Sequence, residues 1–270
     1  MVELRGATKH YPKGLRALAP IDMTVRRGEF VTLVGPSGCG KSTLLRMVAG
    51  LTAPSSGSIA LWPNHRALAP PSPDRALDRN DGALGHLAFV FQSATLMPWA
   101  SVEANVRLPL DLARLPGTDA ARRVAAALEL VGLQGFSASV PRELSGGMQM
   151  RVSIARALAT EPRLLLMDEP FGALDEITRN RLDREVRELW ARRSLTALFV
   201  THSVYEAVFL STRVLVMSAR PGRIAGELAI DEPHPRADEF RTSGRFVRWC
   251  AQLSALLAAT GADAVPERAA

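Results

Sequence analysis

The apolar positions of this chain change period several times, and each change marks an element. Val2-Glu3-Leu4-Arg5 alternates residue by residue, and Ala19-Pro20-Ile21-Asp22-Met23-Thr24-Val25 does so less cleanly, which predicts short strands near the start. Phe30-Val31-Thr32-Leu33-Val34 is an almost continuous apolar run that stops at Gly35, the pattern of a strand buried on both faces. From Gly40 the period lengthens: Leu44, Leu45, Val48 and Leu51 recur at three- and four-residue intervals, which predicts a helix. Further buried strands are predicted at 87–91, 164–167 and 197–200, with closing strands at 214–217 and 223–230. Helices are predicted over most of 102–160, clearest at Asp119–Leu130, then over Asp175–Trp190, giving a βαβ unit, and near Gly244–Leu257. The stretch 63–86, rich in proline, asparagine and aspartate, predicts a long surface loop. Strands alternating with helices make this an α/β chain.

Composition narrows the setting. With 270 residues, 47% hydrophobic and 22% charged, the chain reads as an ordinary globular protein large enough to bury a sizeable core. No window reaches the ~18 uninterrupted apolar residues of a membrane span, and Met1–Arg5 enters a strand pattern rather than a signal peptide. The expectation is a cytosolic protein that meets a membrane only through a partner. Two cysteines, Cys39 and Cys250, fit a reducing compartment. The net charge of +6 comes almost wholly from arginine, since Lys9, Lys13 and Lys41 are the only lysines. Those arginines are interspersed with acidic residues rather than gathered in a stripe or tail, so no nucleic-acid partner is expected.

The chemistry is concentrated in three segments. Gly35-Pro36-Ser37-Gly38-Cys39-Gly40-Lys41-Ser42-Thr43 fits G-x-x-x-x-G-K-[ST] between a predicted strand and a predicted helix. Glycines there let backbone N–H groups face phosphate oxygens at the positive end of the helix. Lys41 then bridges the β- and γ-phosphates, and Ser42 offers Mg²⁺ a hydroxyl. Asp168-Glu169 closes an apolar run, where open α/β sheets carry their ligand sites. Two adjacent carboxylates can divide the labour, Asp168 toward the metal and Glu169 toward the attacking water. The competing reading, an acidic pair opening a helix, is opposed by Pro170, Phe171 and Gly172 immediately afterwards. Leu144-Ser145-Gly146-Gly147 places a hydroxyl and two unencumbered amides at a predicted helix start, a second anion site.

A phosphate loop followed by LSGG about twenty residues ahead of a buried strand ending in two carboxylates resembles the nucleotide-binding subunit of an ABC transporter. The resemblance spans about residues 2–230. It implies a RecA-like P-loop core with an antiparallel β subdomain and a helical signature subdomain at about 93–160, followed by an extension at 231–270. It implies an ATPase using ATP and Mg²⁺ as a head-to-tail homodimer. In that arrangement Ser145, Gly146 and Gly147 of one copy cover the nucleotide on the other, and Asp175 lies in the loop through which the sites communicate. Gln92 would contact the metal and the hydrolytic water, His202 would hold the γ-phosphate, and Tyr11 would stack on adenine. From the residues alone, Gln92 could be an exposed amide, His202 a structural histidine and Tyr11 a packing residue.

Several segments are similar to the nitrate/sulfonate/taurine importer group: Phe91-Gln92 through Leu96-Met97-Pro98-Trp99 and on to Val102-Glu103-Ala104-Asn105-Val106, Met167 to Asp175, and Ala219-Arg220-Pro221-Gly222-Arg223-Ile224. That likeness implies two membrane permease subunits, an extracytoplasmic solute-binding protein, and a peripheral place on the cytoplasmic face of a bacterial-type inner membrane. Leu96–Trp99 would wall the groove for a permease helix, or else pack internally. Two departures stand out: Met148-Gln149-Met150-Arg151 after the glycines, and Ser203 where an acidic residue usually follows the histidine. An exporter ATPase, a soluble ABC ATPase acting on nucleic acid or ribosomes, and a P-loop kinase are the alternatives. The last has no use for LSGG.

Overall fold

The computed structural model describes residues 2–61, 66–68, 87–172, 174–233 and 236–262. The chain divides into two compact units, Met1–Asp78 with Thr196–Ala270, and Arg79–Leu195.

The first unit carries two sets of strands. β1 (Val2–His10), β2 (Arg16–Val25), β4 (Ser56–Leu61) and β5 (Arg66–Leu68) form an antiparallel sheet in the order β2-β1-β4-β5. Alternation, interrupted by register shifts after Leu4 and after Ala7, buries Val2, Leu4 and Ala7 of β1 and Leu18, Ile21, Met23 and Val25 of β2. β5 corrects the expectation of an unbroken loop at 63–86; most of that segment lies outside the described residues. β3 (Phe30–Val34) is buried at every position because it is central, running parallel to both β8 (Thr196–Val200) and β9 (Arg213–Met217). β10 (Ile224–Ala229) pairs antiparallel with β9 at the edge. Helix α1 (Lys41–Val48) follows β3, and its buried Leu44, Leu45, Met47 and Val48 face the core.

Helix α6 (Val204–Leu210) follows β8, and α7 (Gly244–Ala262) packs against α6, β9 and β10 through Phe246 and Leu253. The segment leading into α7 is held by Arg236. Its guanidinium is 6% exposed and donates to the carbonyl oxygens of Val208 (2.6 Å), Phe209 (2.9 Å), Ser211 (2.9 Å) and Ile230 (3.3 Å). These include last-turn carbonyls of α6 that have no partner within the helix. Desolvation lowers the Arg236 pKa to about 10, so it stays charged at neutral pH.

The second unit packs a parallel strand pair, β6 (Leu87–Val90) and β7 (Leu164–Asp168), with four helices: α2 (Val102–Leu112), α3 (Gly117–Leu130), α4 (Gly146–Ala159) and α5 (Glu176–Arg193). α4 contacts α2, α3 and β6 and carries eight buried residues, which makes it the centre of this unit. Among the described residues no helix is long and apolar enough to cross a membrane.

Candidate nucleotide-binding site

The phosphate motif lies where strand and helix patterns placed it. Gly35, Gly38 and Gly40 hold φ values of +154°, +74° and +101°, conformations that L side chains rarely adopt. Their inner side leaves no room either: a Cβ on Gly35 would lie 2.5 Å from the Met217 carbonyl oxygen, and one on Gly40 2.5 Å from Leu18 Cδ2. Pro36, Ser37 and Gly38 are exposed, while Cys39 is buried beneath them. Lys41 is 6% exposed, and its ammonium donates to the carbonyl oxygens of Gly35 (2.7 Å) and Pro36 (3.0 Å). A cation is therefore held inside the arc of the loop, at the N-terminus of α1, with Ser42 and Thr43 half-buried in the first turn.

His202 comes to the same end of the unit. β3 and β8 are in register through Leu33 and Val200, and the Thr201 N–H donates to the Leu33 carbonyl at 3.3 Å. His202 is thus the exposed residue of β8's exit, level with Gly35. The following Ser203 caps α6, its hydroxyl accepting from the Glu206 N–H at 3.3 Å. That explains the missing acidic residue, since serine does the same capping work as aspartate. Tyr11 is half-buried at the end of β1, with the Lys9 ammonium 5.3 Å from its ring centroid.

In the other unit β6 and β7 run in register from Leu87 and Leu164 to Val90 and Met167, so Gln92 and Asp168-Glu169 leave adjacent strand ends. The Gln92 amide Nε2 donates to Glu169 Oε2 at 3.4 Å. Asp168 is 2% exposed, and Glu169 is half-buried with φ +47°, an uncommon conformation for a side chain other than glycine. Residues 169–172 turn through the Gly172 N–H donating to the Glu169 carbonyl at 3.2 Å, so no helix starts there. The helix starts later, after Asp175. The Asp175 carboxylate caps α5 by accepting from the Thr178 N–H at 2.9 Å, and that bond holds its pKa below the ordinary value.

Ser145 is the N-cap of α4, its hydroxyl oxygen accepting from the Met148 N–H at 3.3 Å, with Gly146 and Gly147 in the first turn. Ser145 and Gly146 are exposed; Gly147 has Leu174 against it, where a Cβ would meet Leu174 Cδ2 at 3.1 Å. Gln149 donates to the Pro141 (2.9 Å) and Leu144 (3.3 Å) carbonyls, bracing the turn that leads into the signature.

Two positioning residues escaped the sequence reading. Asn105 is fully buried on α2, accepting from the Met97 N–H at 2.7 Å and donating to the Met97, Ala100 and Ser101 carbonyls. Its signals were a place in the importer-like segment Val102–Val106 and a polar residue amid Val102, Val106 and Leu110, neither of which names its partners. Arg156 of α4 donates to the Thr95 carbonyl (2.9 Å), the Ala94 carbonyl (3.1 Å) and the Thr95 hydroxyl (2.9 Å), pinning the loop after Gln92 to the signature helix. Beyond that loop Leu96 and Met97 are half-buried, whereas Trp99 is 79% exposed.

Asp168 and Gln92, at adjacent strand ends of the second unit, carry oxygen donors of the kind a hard divalent cation such as Mg²⁺ takes, and in the first unit the Ser42 hydroxyl is of the same kind. Among the described residues no cluster of three or more His, Cys, Asp or Glu side chains competes as a metal site. A metal that keeps several waters and binds through a carboxylate and substrate phosphates needs no such cluster.

The family model for ABC transporters matches residues 18–172, which covers the phosphate loop, the signature and the paired carboxylates. The chain belongs to the ABC transporter family. It is similar to the aliphatic sulfonates import ATP-binding protein of Bacillus cereus, at 40% identity over 91% of both chains. It is 42% identical to the nitrate import ATP-binding protein of Synechocystis, over 89% of this chain and 88% of that one. A solved ATP-binding cassette, dimeric in a post-hydrolysis state with ADP and phosphate bound, superimposes with TM-score 0.75 at 30% identity, covering 86% of this chain and all of that one. This cassette is thus an ATP-binding subunit with the α/β fold and the ATPase character of its family.

Proposed function

We propose that this cassette is the ATP-hydrolysing subunit of an importer, energising uptake of a small nitrate-, sulfonate- or taurine-like solute through permease subunits. The observation that carries the proposal is likeness along nearly the whole chain to import ATP-binding proteins, not to the phosphate loop alone. Two copies dock head to tail. The amides of Gly35–Thr43 and the Lys41 ammonium hold the β- and γ-phosphates of ATP, and Tyr11 stacks on the base. Ser145, Gly146 and Gly147 of the second copy cover the γ-phosphate, and Asp175 lies at the contact between copies. Ser42, Asp168 and Gln92 would hold the Mg²⁺, which would neutralise charge on the phosphates. Glu169 accepts a proton from the attacking water, Gln92 orients that water, and His202 donates to the γ-phosphate as it leaves ADP.

The permease meets the surface around Leu96–Trp99. An exposed tryptophan there, on a loop tied by Arg156 to the signature helix, supports a path from permease to signature. The location that follows is the cytoplasmic face of an inner membrane, with a solute-binding protein on the far side.

Light scattering of Glu169→Gln protein tests the dimer. The mass expected is that of a monomer without nucleotide and twice that with MgATP; a monomer at saturating MgATP would contradict the head-to-tail arrangement.

A further inference from the structure

The Ala219–Ile224 segment marks the importer group in sequence but has no part in the reaction above. Its place in the fold gives it one. The Gly222 N–H donates to the Ala17 carbonyl at 3.0 Å, and the Gly222 carbonyl accepts from the Ala19 N–H at 2.9 Å, making a one-residue parallel bridge to Leu18. The same stretch of β2 backs the phosphate loop, since a Cβ on Gly40 would lie 2.5 Å from Leu18 Cδ2 and 3.1 Å from the Ala17 oxygen. Gly222 itself lies directly beneath Cys39. A Cβ there would be 1.8 Å from the Cys39 carbonyl oxygen and 3.0 Å from its carbonyl carbon, so that carbonyl is aimed at Gly222.

Arg220 acts two residues earlier. Its Nε donates to the Gly38 carbonyl at 3.0 Å, and its Nη2 fills the space 2.8 Å from where a Gly38 Cβ would be. Of two consecutive peptides of the phosphate loop, the first is held by a hydrogen bond to its oxygen and the second has its oxygen seated against Gly222, where only a glycine leaves room. A trans peptide is planar, with its N–H opposite its carbonyl. A Cys39 carbonyl turned down onto Gly222 therefore turns the Gly40 N–H to the opposite face of the loop.

We propose that Arg220 and Gly222 are positioning residues for nucleotide binding, setting the orientation of the loop's peptides from beneath. Glycine is required at 222 because any side chain would push the Cys39 carbonyl aside and rotate the Gly40 amide with it. The guanidinium of Arg220 adds a fixed donor and a positive charge beside the cradle. This inference rests on the phosphate-binding reading of Gly35–Thr43, and it gives the Arg-Pro-Gly turn a part in substrate affinity rather than in the chemical step.

The test is steady-state hydrolysis and equilibrium binding of MgATP with full-length wild type, Gly222→Ala, Arg220→Ala and Arg220→Lys. Gly222→Ala is expected to raise KM and the dissociation constant at least about tenfold, since displacements near 1 Å at a positioning group cost up to about 10²-fold. Arg220→Ala, at an exposed residue, should raise both about fivefold, the worth of one hydrogen bond, with kcat nearly unchanged. Arg220→Lys should recover part of the loss. Should Gly222→Ala fail to fold, the two Arg220 variants decide. Unchanged affinity in Arg220→Ala, or a loss of kcat and melting temperature at constant affinity, would overturn the inference. Wild type that binds no MgATP would instead overturn the phosphate-loop reading beneath it.

Discussion

Glu169→Gln is expected to bind MgATP as wild type does and to lose about 10²–10⁴-fold in turnover, the usual worth of a positioned general base. Glutamine matches glutamate in shape, so the substitution removes a proton acceptor and little else. The half-buried side chain departs from a backbone at φ +47°, and Gln92 lies 3.4 Å from its carboxylate. Surroundings that hold a residue in such a conformation fix where its carboxylate points. In the proposed site the metal goes instead to the neighbouring Asp168, which is the last residue of β7 and almost fully buried. Nucleotide binding measured at equilibrium and kcat measured separately check the split. Near-normal turnover would remove Glu169 from the role of base.

Ser145→Arg is expected to lower hydrolysis by at least about 10²-fold, the scale of losing one donor at a transferring group, with nucleotide affinity of the isolated chain nearly unchanged. Ser145 caps α4 and is exposed, so an arginine there loses the Met148 N–H contact and, in the proposed dimer, projects a bulky cation into the docking surface of the second copy. Loss of an N-cap costs about 1 kcal/mol, which lowers stability without touching the phosphate loop. Ser145→Asn keeps a capping acceptor and separates that cost from the interface effect. A large loss of affinity in the monomer would contradict a signature that acts on the other copy's nucleotide.

The parts of the fold legible in the sequence were those governed by local periodicity. β3 and β8 read as buried strands because each is apolar at nearly every position, and their common exit brought Gly35 and His202 level. Helix limits were less legible. Asp175, the first residue of the helix that periodicity predicts, is the cap of α5, and α5 runs to Arg193 rather than Trp190. The C-terminal end was hidden because Ala191, Arg192 and Arg193 are good helix formers that leave no break in the pattern, whereas Asp175 is of a type favoured as an N-cap. β5 was missed because a three-residue strand has no period to detect. Asn105 works within eight residues of itself, whereas Arg156 and Arg220 act through backbone oxygens far along the chain. Arg156 reaches the Ala94 and Thr95 carbonyls across 62 and 61 residues, and Arg220 reaches that of Gly38 across 182. No spacing within the sequence announces a side chain whose partner is a carbonyl group.

The most direct test of an import role is recovery of tagged Glu169→Gln protein with MgATP from solubilised native membranes, with the companions identified by mass spectrometry. A multi-span permease, encoded beside a solute-binding protein, is the expected companion, and loss of its recovery on Trp99→Ala would locate the contact. Ribosomes or nucleic acid in its place, or a permease that exports, would contradict the import role while leaving the ATPase intact.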